Sequence, residues 1–164
     1  MAARTPPEAF ARFLKPLQQA VSCVTHSVLV GRGHRPNTPY TLTFGGGRSA
    51  PLTGPHDAAL FISVTYVVEP ELGGWAVHYM RYIYNVLSAS TEVLGYHWHP
   101  EDRGPTKHPH LHIYGQTAPV SLRKMHLPTG QIRLEDVLRL VISDFDVTPL
   151  REDWETVLAS PETS

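Results

Sequence analysis

The chain has 164 residues, 41% of them hydrophobic and 18% charged, enough to bury a core without disulfides or a structural metal. Its net charge of −1 with histidine neutral excludes a bulk positive field, so any contact with nucleic acid has to be local. The apolar runs are too short to span a bilayer, so no membrane is expected.

The N-terminus lacks a basic stretch followed by a continuous apolar run and a small-residue cleavage site, so it does not read as a secretory signal. The lone Cys23 has no partner for an intramolecular disulfide and reads as a buried, inert thiol. A cytoplasmic setting is expected.

Thr5, followed by Pro6 and Pro7, marks a helix start, and Phe10, Phe13, Leu14, Leu17 and Val21 recur at helical spacing behind it. Pro16 removes one backbone donor inside this helix, and a kink or break is expected there. Strands are expected over 26–32 and 40–44, separated and followed by turn-rich segments. Gly45–Gly47 sits among prolines and lacks the spacing of a phosphate-binding loop. Two long strands follow, Leu60–Val68 and Trp75–Leu87, joined by a turn over Glu69–Gly74. The segments 92–99 and 108–114 extend the meander. A second helix is expected over 134–145, with Glu135 and Asp136 in its first turn, where the helix dipole favours acids. Thr148 and Pro149 are expected to cap a last short helix carrying Trp154, Val157 and Leu158, and residues 159–164 to fray. These elements add up to one α+β domain over 1–158: an antiparallel sheet of five or six strands with the N-terminal and 134–145 helices packed on one face.

Histidine is the compositional anomaly. Of ten, six (His97, His99, His108, His110, His112 and His126) fall within thirty consecutive residues. Side chains alternate faces along a strand, so His97 and His99 share one face of the first hairpin strand, and His108, His110 and His112 share one face of the second. Closing the hairpin symmetrically sets His99 against His108, His97 against His110 and Gly95 against His112. The same register sets Trp98 against Pro109, Tyr96 against Leu111 and Leu94 against Ile113, an apolar face expected to be buried. Glu101, Asp102, Arg103 and Lys107 lie on the adjoining loop. Such an imidazole patch suits two kinds of chemistry. Histidine pairs supply a general acid and a general base near neutral pH, and neutral imidazoles ligate transition metals. His26, His34 and His56 are read as structural. Arg81 and Tyr84, on the neighbouring strand, are candidate anion contacts.

The string His108-Pro-His110-Leu-His112 resembles in spacing the motif of the histidine-triad nucleotide hydrolases, a resemblance that would make His110 the nucleophile toward phosphate. A broader likeness covers residues 79–145. It comprises a strand with Tyr79, Arg81, Tyr82 and Tyr84, a strand ending in His-x-His-Pro, the strand His-Pro-His-Leu-His, and a helix after the short Pro-containing segment Met125–Pro128. In this order of elements the chain resembles the TumE-type toxins and related proteins of bacterial toxin–antitoxin and defence loci. That resemblance implies a ribonuclease with His97, His99, His108, His110 and His112 as catalytic residues and Arg81 as a phosphate contact.

Three readings therefore stand. The first is a phosphodiester-acting, ribonuclease-like toxin or defence protein in which the hairpin histidines exchange protons and Arg81, Tyr84 and Lys107 bind the RNA substrate. The second is a metal-binding protein or metal-dependent hydrolase holding a divalent ion such as zinc on His97, His99, His110 and His112. The third is a non-enzymatic domain whose histidines face an antitoxin or defence partner.

Overall fold

The computed structural model describes residues 3–100, 107–114 and 125–159. Helix α1, Pro6–Val21, begins where the sequence predicts, with the Thr5 side chain accepting a hydrogen bond from the Glu8 amide. It is one continuous helix through Pro16 rather than two short pieces. One lost hydrogen bond is outweighed by the packing of its buried face, Ala9, Leu17, Ala20 and Val21.

The strands are β1 (Leu29–Gly31), β2 (Tyr40–Phe44), β3 (Ala50–Pro51), β4 (Ala58–Glu71), β5 (Gly74–Ser88), β6 (Thr91–Trp98), β7 (His110–Ile113) and β8 (Leu127–Pro128). They form one antiparallel sheet in the order β1-β2-β4-β5-β6-β7-β8, with β3 paired to β4. The described residues thus hold eight strands, against the five or six expected from sequence. The two-residue pairings of β3 and β8 are too short to leave an alternation pattern. Helix α2 spans Leu134–Asp144 and α3 spans Trp154–Val157. The last helix starts later than expected because the Thr148 amide donates to Thr53 and the Leu150 amide to Cys23, tying residues 148–150 to other segments.

The sheet has two unlike faces. Leu42, Leu60, Ile62, Val64, Tyr82, Tyr84 and Val86 point to one side, where they form a single buried cluster with Leu17, Val21, Leu134, Val137, Leu138 and Val141 of the helices. Cys23 is buried in this cluster, and desolvation raises its thiol pKa, as expected of an inert cysteine. The opposite side carries Thr41, Thr43, Ser63, Thr65, Arg81 and Asn85, and it continues onto β6 and β7 as the histidine face. No helix among the described residues is long and apolar enough to cross a membrane.

Leu60 is fully buried, and truncating it leaves a cavity between the central strands and the helices. Leu60→Ala should cost about 2–5 kcal/mol in urea denaturation, whereas Leu72→Ala, at the exposed tip of the β4–β5 hairpin, should change stability by about 0.5 kcal/mol or less.

Candidate metal centre

The β6–β7 ladder has the register expected from sequence: His97 opposes His110, Tyr96 opposes Leu111, Gly95 opposes His112 and Leu94 opposes Ile113. The burial of the two faces is the reverse of expectation on β7. His110 is 1% and His112 8% exposed, while Ile113 is 37% exposed, and Trp98 and Leu111 are half-buried. The physical reason is position in the sheet. The helices contact β4 and β5, so the apolar face is left partly uncovered where it reaches β7. The imidazoles on the other face cover one another.

Five rings form this cluster. His97 lies 4.5 Å from His112 and 5.8 Å from His110, between ring centroids, and His99 lies 5.0 Å from His110. His126, just ahead of β8, closes the group at 5.0 Å from His110 and 4.6 Å from His112, and Tyr114 stacks on His112. The β7–β8 pairing, supported by the Thr129 amide donating to Pro109, holds His126 there.

The hydrogen bonds fix two tautomers. A carbonyl oxygen only accepts, so the 2.9 Å contact of His110 Nδ1 with the His108 carbonyl puts the proton on Nδ1. The lone pair is then on Nε2, which is buried with no hydrogen-bond partner. On β5, Asn85 Nδ2 donates to the Glu92 carboxylate at 2.7 Å, so Asn85 Oδ1 is the acceptor in its 2.7 Å contact with His97 Nε2. The proton of His97 is therefore on Nε2 and its lone pair on Nδ1. A carboxylate, an amide and an imidazole in series is the kind of outer support that orients metal-ligating histidines and fixes their tautomer. A register shift between β5 and β6 leaves Val93 as an extra residue, and this bulge turns Glu92 onto the histidine face. Gly95 leaves room for the relay, since a Cβ there would lie 2.7 Å from Asn85 Oδ1 and 2.9 Å from His97 Nε2.

Burial, and next the neighbouring His112 and His110, push the His97 pKa down to about 3. Burial, and next His110 and His126, push His112 down to about 4. His110 is lowered as well, chiefly by burial, with the His108 carbonyl opposing. The lowered values favour the uncharged form of these three rings near neutral pH, in which each keeps a lone pair. Two groups of three present ligand atoms within 4.8 Å of one another: His97, His99 and His110, and His110, His112 and His126.

Of the residues singled out from sequence, the structure brings together His97, His99, His110 and His112. It does not bring His108, whose side chain is exposed and whose contribution to the cluster is its carbonyl. The expected His99–His108 pair does not form, because β6 ends at Trp98 and β7 begins at His110. Arg81 lies on the histidine face, exposed, with its Nε donating to Thr65 Oγ1 at 2.9 Å. Lys107 is exposed ahead of β7. Tyr84 is on the opposite face, 2% exposed and stacked on Tyr82 at 4.8 Å, so it contacts no ligand of the histidine face. It lines a groove of about 560 Å³ between α1, β5 and residues 131–135. Glu101, Asp102 and Arg103 lie outside the described residues. Sequence reasoning missed the roles of Asn85, Glu92 and His126. A polar amide within the apolar run of β5 and a glycine inside β6 were the available signals.

Compared with known proteins, the chain matches no family model, no curated protein and no solved structure. The likeness to TumE-type toxins therefore rests on the histidine motif and the order of elements.

Because these histidines are held neutral, the unfolded chain binds more protons than the folded one wherever pH lies below the ordinary value of 6.5 and above the lowered values. Their contribution is fully present above about pH 6.5 and is lost as pH falls toward the folded values of about 4 and about 3. The melting temperature of metal-free protein should fall between pH 7 and 4. In a His97→Gln, His112→Gln variant the fall should be shallower.

Proposed function

We propose that the histidine face is a transition-metal centre of the zinc type and that the chain is a metal-dependent hydrolase acting on phosphodiesters such as RNA. The observation that carries the reading is His110 Nε2: buried, without a hydrogen-bond partner, and left with the ring's lone pair because Nδ1 is committed to the His108 carbonyl. A buried polar atom with no partner costs about 1–3 kcal/mol, and a cation on that lone pair removes the cost. The Glu92–Asn85–His97 relay is a second, independent support of the same kind.

Imidazole nitrogens suit zinc and its neighbours better than calcium or magnesium, which take oxygen ligands. An ion of the zinc type, held by three of these histidines, would supply Lewis acidity toward a phosphoryl oxygen and an activated water near neutral pH. The chain's own groups then divide the work. His97, His99 and His110, or His110, His112 and His126, hold the ion. Arg81, on the same face, offers its remaining guanidinium donors to an anionic substrate. Lowered pKa values disfavour the alternative in which His97, His110 and His112 exchange protons with RNA unaided, since a base that weak takes up little proton at neutral pH.

Purified protein should carry zinc by elemental analysis. It should lose hydrolysis of a fluorogenic RNA in excess chelator and regain it on adding zinc. His110→Ala should drop activity to background with the circular dichroism spectrum retained. Full activity of chelator-treated, metal-free protein would overturn the reading.

A further inference from the structure

The two groups of three histidines share one member, and that member has one usable nitrogen. His110 Nδ1 carries the proton that goes to the His108 carbonyl, so Nε2 is its only free lone pair. An imidazole lone pair lies in the ring plane and forms one bond. Two ions cannot both be held through it, so the groups are two seats for one ion.

The seats are unlike. In the first, His97 is oriented by Asn85 and, through it, by Glu92, and its neighbours His99 and His110 are half-buried and buried. In the second, His112 Nδ1 is buried without a hydrogen-bond partner, and His126 is exposed. Outer-shell support strengthens metal ligands and its loss weakens binding by about 10–100-fold, so the first seat is the tighter. The exposed ligand belongs to the second. The two seats adjoin, because the rings of His97 and His112 are 4.5 Å apart.

We propose that the His110–His112–His126 seat takes the ion from solvent and passes it, still bonded to His110, to the His97–His99–His110 seat that retains it. The proposal rests on the metal-centre reading above. His126 is then a loading ligand, needed for the rate of uptake, and His97 and His99 are retaining ligands, needed for affinity. Asn85 and Glu92 set the direction of transfer by making one seat tighter than the other.

Zinc binding to full-length, metal-free protein tests this without reference to activity. Stoichiometry and affinity come from calorimetric titration with competing chelator, uptake rates from stopped-flow transfer out of a chromophoric zinc complex, and folding from circular dichroism. Wild type should bind one zinc per chain. His126→Ala should still bind one, with affinity within about three-fold of wild type and uptake slowed by about ten-fold or more, whereas His97→Ala with His99→Ala should bind about 10–100-fold more weakly. His97→Ala with His126→Ala breaks both seats at side chains outside the core and should abolish tight binding even if His110 variants fail to fold. Two zinc ions in wild type would overturn the proposal, as would an affinity loss in His126→Ala equal to that of the His97, His99 variant, and in either case the metal centre would stand. Absence of zinc binding in wild type would remove the centre and the proposal together.

Discussion

The register between β5, β6 and β7 is the constraint on which the rest of the molecule depends. Once Tyr84 opposes Tyr96 and Tyr96 opposes Leu111, the two-residue period of the strands sends every aromatic and aliphatic side chain of that row toward the helices. The same step sends Asn85, His97, His110 and His112 the other way. A slip of one residue would bury imidazoles among the helices and expose tyrosines. The polar relay and the packed core are thus two consequences of one pairing.

Collecting imidazoles on one sheet face is an uneasy arrangement. Five rings packed edge to face repel one another's protons and bury nitrogens that water would otherwise satisfy. The chain spends two hydrogen-bonding devices on them, the His108 carbonyl and the Asn85–Glu92 pair. Each commits one ring nitrogen and leaves the other with its lone pair. Orientation of this kind is what the cation site proposed above would use. The bulge at Val93 and the missing side chain at Gly95 serve the same end, one by turning Glu92 inward and the other by clearing space.

The reversed burial of β7 follows from where the helices stop. α1 and α2 lie over the central strands, so the apolar side of the hairpin is left half-covered toward the sheet edge. The histidine side, by contrast, gains His126 from the β7–β8 pairing. Desolvation is the first cause of the lowered pKa at His97, His110 and His112, so the packing that hides these rings also keeps them as lone-pair donors at neutral pH.

Taken alone, the sequence determined the elements whose patterns are local. These are α1 and α2 from their 3.6-residue periodicity, β4 and β5 from their β-branched and aromatic runs, and the hairpin register from the matched alternation of 92–99 and 108–114. That alternation also brought His97, His99, His110 and His112 to one face, because strand parity is a property of the chain itself. What it left to tertiary structure depends on residues distant in sequence or on a break in parity. His126 reaches the cluster through a two-residue strand with no pattern of its own. Glu92 reaches Asn85 through a bulge that alternation does not announce. Tyr84 goes to the core because the helices cover its face of β5, and His108 goes to solvent because the β6–β7 pairing stops at His110. The tautomers of His97 and His110 came last, since they depend on which carbonyl or amide each folded ring meets.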